Sequence, residues 1–75
     1  MNKADLVGKT VSVTFQGLNR IESYIGIIKT FDNEYMVLEF PGDKRYSSLI
    51  IRSQDVTTIL VKTREYTEAN PNRSD

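Results

Sequence analysis

Gly26-Ile27-Ile28-Lys29-Thr30-Phe31-Asp32-Asn33-Glu34-Tyr35-Met36-Val37-Leu38-Glu39 and, a little further on, Ile50-Ile51-Arg52-Ser53-Gln54-Asp55-Val56-Thr57-Thr58-Ile59 each read as two β-strands around a tight polar turn. In the first segment an aliphatic run ends at Asp32-Asn33-Glu34. Asp and Asn favour turns because their side chains bond their own backbone. Apolar residues then resume at alternate positions, Met36 and Leu38. In the second segment Ser53-Gln54-Asp55 is the shortest link in the body of the chain.

The same two-residue period extends outward from these segments. Val11, Val13 and Phe15 alternate with Thr10, Ser12 and Thr14, which predicts a half-buried strand from Lys9 onward. Gly17 to Arg20 form a turn, and a second strand runs from about Ile21 to Phe31. Gly26 inside that strand marks a bulge, a bend or a close backbone approach. A third strand covers Tyr35 to Phe40, Pro41-Gly42-Asp43-Lys44 makes a turn, and a fourth strand covers Tyr46 to Arg52. The fifth runs from Val56 to Lys62. The expected core is Val11, Val13, Ile27, Met36, Leu38, Ile50 and Ile59. Asn2 to Val7 allow one helical turn with Asn2 as its N-cap. Thr63 to Asp75 hold no aliphatic residue larger than Ala and read as a disordered polar tail. The chain thus divides into a helical turn (1–8), a β-body (9–62) and a tail (63–75).

Composition narrows the function. Seventy-five residues make one small domain. Without Cys or His there are no disulfides, no Cys- or His-based metal sites and no neutral-pH general base of the usual kind. No nucleophile-elbow, P-loop or dinucleotide-binding pattern occurs either, so an enzyme is not expected and no cofactor is implied. Lys plus Arg (10) equals Asp plus Glu (10), so no overall basic charge points to nucleic acid. No apolar run approaches the ~20 residues that span a bilayer, and Met1 to Thr10 lack an apolar signal core. The expectation is a cytoplasmic protein away from membranes.

Five short strands with hairpin-length turns predict an all-β, SH3-like or OB-like small barrel. Here the motifs resemble the Sm-like family, whose members are SH3-type barrels that form rings and bind single-stranded RNA. Leu6-Val7-Gly8-Lys9-Thr10-Val11 is similar to the family's entry into its first strand. Gly26 falls where the first Sm motif carries its Gly, and Phe31-Asp32 matches that motif's turn. Phe31-Asp32-Asn33 followed by Met36-Val37-Leu38-Glu39 resembles the bacterial branch, the Hfq RNA chaperones. Ile51-Arg52-Ser53-Gln54-Asp55-Val56 resembles the archaeal and eukaryotic second motif, an Ile-Arg-Gly-x-Asn-aliphatic pattern. Several positions depart from these patterns. Val37 stands where an Asn helps read the base, Ser53 replaces the Gly and Asp55 the Asn. The Hfq-type Lys-His pair is absent.

The resemblance implies a homo-oligomeric ring of six or seven subunits that binds single-stranded, U-rich RNA through Asp32, Tyr35 and Arg52. Arg52 would contact phosphate or stack on a base, Tyr35 would stack, and Asp32 would orient Arg52 or accept from a base. The plainer accounts are a brace between Arg52 and Asp32 or Asp55, an exposed strand Tyr, and a turn Asp bonded to its own backbone. Lys44 and Arg45 beside Tyr46 offer possible phosphate contacts, or simply guard a strand edge. The fourth and fifth strands are apolar on both faces, which predicts cover on both. Ile51, Ile59 and Val61 are the expected oligomer contacts. The rival readings are an SH3-like protein-interaction module without RNA, and an OB-type barrel that binds single-stranded DNA.

Overall fold

The structure is a computed structural model and describes residues 2–63. The tail from Arg64 onward lies outside the described residues. A 3-10 turn, Lys3–Leu6, precedes strands β1 (Thr10–Gln16), β2 (Ile21–Phe31) and β3 (Tyr35–Glu39). Strand β4 (Ser48–Arg52), a second 3-10 turn (Ser53–Asp55) and β5 (Val56–Val61) follow. The strands form one antiparallel sheet in the order β4-β3-β2-β1-β5, which leaves β4 and β5 as its edges. The expected all-β class is therefore present as five antiparallel strands in a single open sheet.

Local chemistry explains the joints. Pro41-Gly42 makes the turn that Pro at the second and Gly at the third position favour. Gly42 has φ +88°, and the Asp43 N–H donates to the Phe40 carbonyl at 3.1 Å. Asp43 Oδ1 then accepts from the N–H groups of Arg45 (2.7 Å) and Tyr46 (3.1 Å). That arrangement delays the start of β4 to Ser48 rather than Tyr46. The first 3-10 turn lacks a side-chain cap from Asn2. Instead the Asn2 carbonyl accepts the Asp5 N–H at 3.0 Å. Leu6 buries itself in the core, and the Gly8 N–H bonds the Ile28 carbonyl at 2.7 Å.

Gly26 is a site of close approach. A Cβ there would sit 2.8 Å from the Glu39 carbonyl oxygen and 2.9 Å from the Phe40 ring. The register break lies further along, where Ile28 pairs with Leu38 but Thr30 pairs with Val37, so Lys29 is the extra residue. Such a bulge bends a strand and raises its twist. A second break between Thr14 and Phe15 leaves Thr57 unpaired, and its hydroxyl donates to the Thr14 carbonyl at 3.0 Å.

The core consists of Leu6, Val11, Val13, Phe15, Ile28, Met36, Leu38 and Ile51. Phe31, Phe40, Leu49, Val56 and Ile59 pack partly against it. Two expected core residues change places with their neighbours. Val11 and Val13 lie opposite Gly26 and Tyr24, and directly opposed residues share a face. Ile28 therefore turns inward and Ile27 is only half-buried. Likewise Met36 faces Ile51 and Leu38 faces Leu49, so Ile51 is 4% exposed and Ile50 is 65% exposed. Ile51, expected at an oligomer contact, thus belongs to the chain's own core. Ile59 and Val61 lie opposite Val13 and Val11 and share their face. Ile59 is half-buried against the core and Val61 is 41% exposed.

Candidate nucleic-acid interface

The β2–β3 turn and the 3-10 turn after β4 are locked together. Asp32 heads an Asx turn, and its Oδ1 accepts the N–H groups of Glu34 and Tyr35, both at 2.8 Å. These two donors, Tyr35's foremost, hold the Asp32 carboxyl below the usual carboxylate range. The Asp32 N–H in turn donates to the Tyr35 carbonyl at 3.0 Å. Across the sheet, the Ser53 hydroxyl donates to the Asp32 carbonyl at 2.6 Å. The Ser53 N–H donates to the Glu34 carbonyl at 2.9 Å. The backbone around Glu34 is therefore fixed from both sides.

This lock brings the two motif segments face to face. Tyr35 and Arg52 are direct cross-strand partners on β3 and β4. Together with Asn33, Glu34 and Gln54 they line an open concavity of about 350 Å³. Tyr35 is about half exposed. The Arg52 side chain is 63% exposed, and its Nε is 4.0 Å from Asp55 Oδ2. That is a loose, solvated pair of little energetic weight, so the guanidinium can turn to a ligand. The brace open to Arg52 is thus Asp55 rather than Asp32. Asp32 is not in the lining, and one of its oxygens is committed to the turn. Val37 pairs with Ile50 on the same face as Tyr35 and Arg52, next to the concavity.

Sequence reasoning missed Glu34, Asn33 and Gln54. All three lie in turns, where a polar residue reads as solvated connection, and only the Ser53 contacts show that they border one hollow. Lys44 and Arg45 lie at the opposite end of the β3–β4 hairpin, about 13 Å away along the strand. Arg45 reaches Asp43 Oδ2 at 3.7 Å and lies over the Tyr46 ring, 5.6 Å from its centroid. The Asp43 carboxyl is lowered by the N–H groups of Arg45 and Tyr46. Tyr46, Tyr24, Phe40 and Leu49 line an aromatic groove there. Phe15 stacks on Tyr24 at 5.8 Å, and Phe40 lies tilted against it at 6.0 Å. The Tyr24 hydroxyl donates to Glu22 Oε1 at 3.1 Å, which raises its pKa.

Among the described residues no group of His, Cys, Asp or Glu could hold a metal ion, and no helix is long and apolar enough to cross a membrane. No family model matches this chain, and neither a curated protein nor a solved structure shows significant similarity to it.

Proposed function

We propose that the chain is a non-catalytic subunit of an Sm-like ring of six or seven copies, with a curled, SH3-type sheet, that binds single-stranded RNA at Tyr35 and Arg52. The observation that carries this reading is the meeting of the two motif segments: Tyr35 opposite Arg52, with Ser53 tying the β2–β3 turn to the turn after β4. Tyr35 supplies a stacking face, Arg52 a charge and a planar guanidinium, and Asp32 the brace that shapes the turn. With Val37 in place of a base-reading Asn, uridine preference should be weak.

The sheet edges support assembly. β4 and β5 end the sheet on either side, and both carry exposed apolar side chains: Ile50 at 65%, Leu60 at 62% and Val61 at 41%. If β4 of one copy pairs with β5 of the next, the sheet continues and both edges disappear. Such a head-to-tail contact closes into a ring when its rotation permits.

A second reading rests on the aromatic groove of Tyr24, Phe40, Tyr46 and Leu49, which would suit a protein-interaction module of SH3 type. Two measurements decide between them. Light scattering at micromolar concentration should give a mass several times that of the monomer, and a monomer would defeat the ring. Labelled oligo-U and oligo-A, titrated at low salt where phosphate contacts are strongest, should bind. Loss of one such base contact, worth ~1–3 kcal/mol, should weaken binding by Arg52→Ala roughly 5- to 150-fold. If the wild type binds neither oligonucleotide, or Arg52→Ala binds as well, the interaction module is the better account.

A further inference from the structure

We infer that the concavity between the β2–β3 turn and Arg52 selects guanine, with the Glu34 carboxylate as the residue that determines the base. This rests on the RNA-binding reading above and adds the identity of the base to it. The inference starts from which polar groups are still free. Asp32 has Oδ1 committed to two backbone N–H groups, so it cannot offer both oxygens to a ligand without breaking its turn. Glu34 is in the opposite position. Its N–H and carbonyl are fixed by Asp32 and Ser53, while its carboxylate has no hydrogen bond or ion pair among the described residues. The lining therefore presents one unengaged two-oxygen acceptor on an anchored backbone. Arg52 stands beside it as a donor fork, and Tyr35 as an exposed ring.

Base chemistry then separates the candidates. A carboxylate fork needs two adjacent donors. Guanine alone has them on its Watson–Crick edge, at N1–H and the N2 amino group. Its neighbouring edge offers two acceptors, O6 and N7, which suit an Arg fork. Uracil has one donor, N3–H, between two carbonyl oxygens, so a carboxylate meets repulsion on either side. Adenine and cytosine each place one amino group beside a ring-nitrogen acceptor. A base stacked on Tyr35 would gain affinity whatever its identity. Glu34 would set the preference, and Arg52 would bond O6 and N7 in the plane of the base while Tyr35 supplies the stack.

The test uses the full chain and labelled hexauridylate, with parallel oligonucleotides in which one central uridine is replaced by guanosine, adenosine or cytidine. A single guanosine in a uridine background avoids guanine self-assembly. Anisotropy titrations should show the guanosine oligonucleotide binding roughly tenfold or more tightly than hexauridylate, the discrimination a good two-bond pair supports. Glu34→Gln replaces one acceptor by a donor and should abolish that ratio. Its affinity for hexauridylate should hold or rise, because a negative charge near phosphate is removed. Glu34→Asp should keep part of the preference. Tyr35→Leu should weaken every oligonucleotide and leave the ratio intact. Equal or weaker binding of the guanosine oligonucleotide by the wild type overturns the inference and leaves the RNA reading standing. So does a ratio that survives Glu34→Gln. Absence of binding to all four overturns both.

Discussion

Ile50 and Ile51 are chemically identical neighbours with opposite fates, so truncating each in turn tests the β4 register directly. Ile→Ala removes three carbons, and at ~0.8 kcal/mol per buried carbon the transfer loss at Ile51 is about 2.4 kcal/mol. Ile51 is 4% exposed and packs opposite Met36, so a cavity adds to that, and ~3–4 kcal/mol is the expected cost. At ~0.05–0.15 kcal/mol per residue, an ordered body of about 60 residues has ~3–9 kcal/mol in all. Ile51→Ala should therefore remove from about a third to all of that stability. Ile50 is 65% exposed. Only about a third of its transfer term is at stake in the lone chain, below ~1 kcal/mol. Urea unfolding followed by far-ultraviolet circular dichroism reads both variants. The measurement is repeated at two protein concentrations, because burial between copies makes apparent stability concentration-dependent. A cost at Ile50 that appears only at high concentration marks it as an assembly contact. If Ile50→Ala costs as much as Ile51→Ala at both concentrations, the strand is shifted by one residue and the core assignment here is wrong.

Two further substitutions test the joints. Gly26→Ala places a methyl group 2.8 Å from the Glu39 carbonyl oxygen, backbone that cannot swing aside. A loss of ~1–3 kcal/mol in chemical denaturation is expected, and a neutral effect would mean the strands do not approach so closely. Asp32 and Asp43 both have pKa values lowered by backbone N–H groups. Depressed carboxyls stabilise the fold above their unfolded pKa, near 4, and that contribution is lost as pH falls through the lower folded value. The wild-type melting temperature should therefore fall below about pH 4. The Asp32→Asn, Asp43→Asn double variant, which keeps the acceptors but not the charges, should fall less. Parallel curves would show that the two turns do not sense this titration.

Strand limits and turns were largely readable from sequence because they depend on local chemistry. Asp32, the Pro41-Gly42 pair and the Ser53–Asp55 link each impose their geometry within a few residues, and β2 spans Ile21–Phe31 as the pattern predicts. Facing was harder. β2 carries Ile25 and Ile27 on one face and Tyr24, Gly26 and Ile28 on the other, so its own pattern cannot choose an inner side. The choice is made by Val11 and Val13 across the sheet. β4 has the same ambiguity, settled by Met36 and Leu38 on β3. With a side-chain period of two, a strand that is apolar on both faces leaves its facing to its partner.

At the candidate site the sequence pointed to Tyr35 and Arg52, which the sheet does bring together, and it left Asp32 open between an acceptor for Arg52 or a base and a turn residue bonded to its own backbone, the second of which the structure shows. The reason lies in what an Asx turn requires. An aspartate that heads such a turn is placed there by the bonds it makes to the N–H groups after it, so the residue that shapes the loop has little left to offer a ligand. The lowered Asp32 pKa has this same origin, and it reports a structural bond rather than a poised functional group. Glu34 is placed differently. It sits in the middle of the turn, draws no hydrogen bond to its side chain among the described residues, and would pass in any sequence as a solvated residue. Its availability follows from that lack of engagement, and its position follows from Ser53, nineteen residues away, whose N–H fixes the Glu34 carbonyl. A contact of that range leaves no mark in the local pattern.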